Sequence, residues 1–156
     1  MKGIPALAMA AAVALASAAA TSATRSNAAA YRAQVNAICR SYTPKFKSIE
    51  SDMAAAKRAG DNHRYAYDAG FALALTLKQG LRVEQAPVPA DAQRQMAAPL
   101  KLLHSVDLQL RRTLAAAVAG DSQAFVAESV KLAKLAAPLN HRFDAVGLRD
   151  CGSNQQ

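Results

Sequence analysis

Tryptophan is absent from this 156-residue chain, and its stock of other ring-bearing or reactive side chains is small: four phenylalanines, four tyrosines, three histidines and two cysteines. With so few cysteines there is no C-x-x-C pair, no Cys/His zinc cluster and no C-x-x-C-H segment for attaching haem. The G-x-S-x-G elbow, the H-E-x-x-H helix and the Walker loop are also missing, which excludes the commonest serine hydrolase, zinc protease and nucleotide-binding signatures. No E-x-x-H occurs, so the di-iron carboxylate bundle is excluded too. Acidic residues are few, 11 against 19 lysines and arginines, and they are dispersed. No catalytic triad can be nominated, and neither an enzyme nor a cofactor is expected. Long apolar runs are lacking beyond the N-terminus: the richest later stretch, Phe71 to Leu77, is stopped by Lys78 and Gln79, well short of the ~18 residues that a membrane span requires.

What is present begins with Met1-Lys2-Gly3, an apolar and small-residue run from Ile4 to Ala20, and small-residue exits ending at Ala20 and Ala23. This is the layout of a secretory signal peptide, residues 1–23, with an uncleaved anchor as the alternative. No small-residue lipobox precedes Cys39, so no lipid anchor is expected. A Ser/Ala/Asn-rich flexible lead-in is expected over 24–30, one domain over 31–152 and a disordered tail over 153–156. Without Lys2 the remaining charge is +7, against +8 for the whole chain. A basic protein in a secreted, periplasmic or wall-associated location meets anionic envelope polymers readily. Its positive residues form no long run and are not interleaved with aromatics, which argues against specific nucleic-acid binding.

Apolar residues recur at three-or-four spacing through four segments, and no segment alternates with period two, so the chain reads as all-α. The first segment, from about Ala28 to Ala59, carries Tyr31, Val35, Ile38, Tyr42, Phe46, Ile49 and Met53. Its phase survives Pro44, which suggests one kinked helix; the alternative starts a new helix there, with Thr43 as its N-cap. The second segment runs from Asn62 to about Gln85 and the third from Pro89 to Ala119, with Asp91 in its first turn. The fourth runs from Ser122 to Val146. Ala-Gly-Asp occurs twice, at 59–61 and 119–121. In each copy the glycine (Gly60, Gly120) suits the left-handed residue that ends one helix, and the aspartate (Asp61, Asp121) suits the cap of the next. Short connections of this kind imply an antiparallel up-down-up-down four-helix bundle. Pro44, Pro99 and Pro138 fall at similar distances along the chain from their glycine turns, a coincidence of depth that suggests bent helices and a widened layer.

An even cysteine count in an oxidising compartment favours a Cys39–Cys151 disulfide over metal ligation or intermolecular pairing. Gly147 can end the fourth helix and turn the tail back toward Cys39. Among candidate ligands, His104 and His141 with Met96 form a speculative set, in which the histidines fall beside the apolar seams and Met96 suits core packing; no metal is assigned. Asp107 and Arg111, four apart, read as a surface ion pair. Of Tyr65 and Tyr67, which straddle two faces, one is expected to pack and the other to be partly exposed.

The segments Tyr31-Arg32-Ala33-Gln34-Val35-Asn36-Ala37-Ile38-Cys39 and Leu139-Asn140-His141-Arg142-Phe143-Asp144-Ala145-Val146-Gly147-Leu148-Arg149-Asp150-Cys151 resemble the two ends of small uncharacterised secreted helical proteins of high-GC actinobacteria. The resemblance implies an exported bundle clasped by a terminal disulfide and carries no activity with it. Two functions are therefore expected to compete: a non-enzymatic envelope-associated or extracellular interaction protein with a basic surface, and a carrier of a small ligand, metal or haem in the bundle interior.

Overall fold

Three glycines with positive φ shape the chain: Gly60 at +70°, Gly120 at +69° and Gly147 at +83°. Each ends a helix with the same pair of bonds. The glycine N–H reaches the carbonyl three residues back (Lys57, Ala117, Asp144), and the next N–H reaches five back (Ala56, Ala116, Phe143). This Schellman arrangement satisfies carbonyls that a helix end would otherwise strand. After the first two, Asp61 and Asp121 accept from the amides of Arg64 and Ala124, both at 2.9 Å, and so cap the following helices.

The computed structural model describes residues 8–152, with side chains from residue 27 onward. It contains four helices, α1 (Ala8–Ala59), α2 (Asn62–Glu84), α3 (Gln93–Val118) and α4 (Ser122–Ala145), followed by a 3-10 turn at Arg149–Cys151. There are no strands among the described residues. The architecture is an all-α antiparallel four-helix bundle closed by a disulfide. Helices pack as consecutive neighbours, α1 on α2, α2 on α3 and α3 on α4, while the 3-10 turn bridges α1 and α4. Residues 1–7, the start of the expected signal peptide, and the expected tail at 153–156 lie outside the described residues.

Pro44 falls inside the single helix α1, so Thr43 does not start a new one. α3 begins later than its spacing suggests, at Gln93 rather than Pro89, after a turn over 90–92. Asp91 is therefore not in its first turn. Its carboxylate accepts instead from the amide of Ala28 at 3.2 Å. The expected lead-in, 24–30, is helical as part of α1, and Ala28 is buried in the core, where Asp91 and the apolar residues of α3 hold it.

The main core joins Tyr31, Val35 and Cys39 of α1 to Val83, Met96, Leu103, Leu110, Leu139, Phe143 and Leu148. A smaller cluster, Tyr42, Ile49 and Leu75, seals α1 against α2 nearer the tip. The two hairpins are inclined to each other. Gly80 abuts Asp107, although Gly80 stands farther along the chain from its own turn at Gly60 than Asp107 stands from Gly120. At the other end Asn36 bonds to the carbonyl of Gly147, and there the residue of the first hairpin is the one nearer its turn. Opposite offsets at the two places require crossing helices, the usual outcome of ridge-into-groove packing. Between the two hairpins, equal distance from a turn therefore does not mean equal depth. Pro44 and Pro138 are exposed and Pro99 is buried, so the three prolines form no shared interior layer.

Candidate functional site

The C-terminal clasp is the most heavily bonded tertiary feature. Cys39 and Cys151 are joined, with Cα atoms 5.2 Å apart. Asn36, one turn earlier on α1, donates to the carbonyl of Gly147 at 3.0 Å and accepts from the amide of Asp150 at 3.1 Å. Arg40 pairs with Asp150. Leu148 is fully buried beneath this turn. Gly152 lies where any Cβ would collide with the Asp144 side chain and the Asn140 carbonyl. These contacts are structural, and none leaves a reactive group at the surface.

On the outside of the α1–α2 hairpin lies a groove of about 530 Å³. α1 contributes Lys45, Ser48, Ile49 and Asp52, and α2 contributes Arg64, Tyr67, Asp68, Phe71, Leu75 and Lys78. Their three-and-four spacing puts each set on one helical face. Lys45 and Lys78 stand on opposite sides of the Gly60 turn at similar distances along the chain, so they share the end of the groove remote from it. Asp52, Arg64 and Asp68 share the other, where Arg64 Nε donates to the buried Asp68 carboxylate at 2.9 Å. Between them Tyr67 (67% exposed) and Phe71 (53%) stand out from the wall. Lys45 also lies over the Tyr42 ring, 5.4 Å from its centroid. A second, more apolar cleft of about 370 Å³ opens between the hairpin tips, lined by Tyr65, Ala69, Gly70, Ala117 and Phe125. Tyr65 and Tyr67 are both exposed, contrary to the expectation that one would pack, because α2 meets a groove on each side.

Asp107 is the outlier of the interior. Its spacing from Arg111 suggests a surface pair, yet it is 3% exposed and both carboxylate oxygens lack a hydrogen-bond partner. It lines a cavity of about 100 Å³ together with Thr76, Gln79, Gly80, Asn140 and the disulfide. Burial pushes its pKa up to about 7, and the nearby Glu84 charge adds to the rise, while Arg111 and His104 oppose it. The sequence signal for its burial is its place in the series Leu100, Leu103, Asp107, Leu110 and Leu114, which continues the core-facing spacing of α3.

The speculative ligand set is not assembled. Met96 is fully buried in the core, whereas His104 and His141 are exposed, and His104 Nδ1 faces Glu84 Oε1 at 3.3 Å. Among the described residues no three His, Cys, Asp or Glu side chains are grouped so as to hold a metal ion. Nor is any described helix long and apolar enough to cross a membrane. Compared with known proteins, the chain matches no family model, no curated protein and no solved structure.

Proposed function

We propose that this chain is an exported, non-catalytic interaction protein of the cell envelope or extracellular space, and that the α1–α2 groove binds an anionic, sugar-containing polymer there. The observation that carries this reading is the pairing of two lysines at one end of the groove with two exposed aromatic rings along its wall. Exposed rings offer flat apolar faces to sugar rings, and the lysines offer charge to acidic substituents without demanding one fixed geometry. The signal-like N-terminus and the disulfide support a location outside the cytoplasm. The net positive charge would speed encounter with such a polymer.

Calorimetric titration of the processed protein with an acidic polysaccharide, and with neutral dextran as control, tests the proposal. Binding at low ionic strength should fade as salt screens the lysines and should weaken in Lys45→Glu, Lys78→Glu and Tyr67→Ala. Absence of binding to the acidic polymer at low ionic strength would sink the reading.

A further inference from the structure

Two of the donors that line the cavity around Asp107 are committed elsewhere. The Thr76 hydroxyl donates to the Ala72 carbonyl at 2.9 Å, and the Gln79 amide nitrogen donates to the Cys39 carbonyl at 3.4 Å. Their side-chain oxygens remain as acceptors beside the two unpartnered oxygens of Asp107. A buried, unpaired carboxylate is among the least favourable groups an interior can hold, and natural interiors supply it with a partner. The cavity has room for one, since a single water needs only about 10 to 15 Å³.

No charged side chain supplies the missing partner. The charged groups acting on Asp107 are Glu84 from α2 and His104 and Arg111 from α3, and none of them bonds to it. From α1 and α4 the wall receives Cys39 and Asn140, which carry no charge, and the Asn140 amide does not bond the carboxylate either. Gly80 is what lets the carboxylate sit against α2, because any Cβ there would collide with it. We propose that the cavity holds one small monovalent cation, of the size and charge of ammonium or potassium, between the Asp107 carboxylate and the side-chain oxygens of Gln79 and Thr76. A divalent ion is disfavoured, because one carboxylate among neutral oxygens is a poor match for the several anionic ligands that such ions usually collect. This site is independent of the outer groove, so its failure would leave the polymer-binding reading standing.

The test uses the processed, oxidised protein at pH 8 in tetramethylammonium chloride, whose cation is bulky and has no N–H to donate. Replacing that salt by ammonium, potassium or sodium chloride at constant ionic strength should raise the thermal midpoint by about 10 °C once the preferred cation is about 100-fold above its Kd. The ranking of the three separates a hydrogen-bonding ammonium site from an alkali-metal site. The rise should shrink at pH 5, where Asp107 takes a proton, and vanish in Asp107→Asn. Should that variant fail to fold, Gln79→Met provides the second case and should weaken the response without removing the charge. Equal midpoints in all four salts, or an undiminished response in Asp107→Asn, would mean that the cavity holds water alone and would overturn the proposal.

Discussion

At Asp107 the fold holds a carboxylic acid whose charge it does not neutralise, and the sign of the pH effect follows. Its ordinary value of 3.8 rises to about 7 in the folded chain, so between those values the unfolded state has released a proton that the folded state keeps. Without a bound cation, stability should therefore fall as pH climbs from about 4 to about 7 and level off above that, by at most about 4 kcal/mol. Asp107→Asn should remove most of this slope, and urea unfolding at pH 4.5 and 8.5 measures it. Its neighbour offers a second test. Gly80→Ala should destabilise by about 1 to 3 kcal/mol through collision with the carboxylate. Part of that loss should return in the double variant with Asp107→Ala, a coupling that a double-mutant cycle reads directly.

Among the elements, the turns are the most legible part of the chain because their chemistry is local. Ala-Gly-Asp at 59–61 and 119–121 specifies where one helix stops and the next starts, with nothing needed from distant residues. Gly60 and Gly120 have open space around them, so alanine at either should cost only the left-handed backbone conformation, about 1 to 2 kcal/mol by denaturant titration. Gly147→Ala should cost more, since the new Cβ would also crowd the Arg32 side chain. The inclination of the hairpins is not legible. It depends on how particular side chains interlock where α2 crosses α3, and counting residues from a turn carries no such information. Asp107 is legible by contrast, since it continues the Leu100, Leu103, Leu110 and Leu114 spacing of α3, but its four-residue separation from Arg111 resembles a surface pair and masks that signal. Asp91 belongs here as well: bonding to the Ala28 amide, it ties α1 to the segment before α3, and Asp91→Ala should cost about 1 kcal/mol, the net worth of one hydrogen bond.

For the molecule as a whole, consecutive packing leaves α1 and α4 joined through the 3-10 turn and its disulfide. The bond spans 112 residues of sequence, so the chain-entropy account assigns it about 4 to 5 kcal/mol. Chemical unfolding with and without reductant should show a loss of that order, and Cys39→Ala with Cys151→Ala should reproduce it. The position of the bond also decides how the protein responds to force. Cys151 stands at the end of the described fold and Cys39 only a few helical turns after buried Ala28, so tension between the two ends runs through the sulfur bridge and bypasses both hairpins. The enclosed 112-residue span, roughly 370 Å when extended at ~3.3 Å per residue, stays out of reach of that force until the bond is reduced. Held at one end and loaded at the other, the oxidised protein can lengthen only in the part of α1 before Cys39, and reduction adds the whole enclosed span to what the force can draw out.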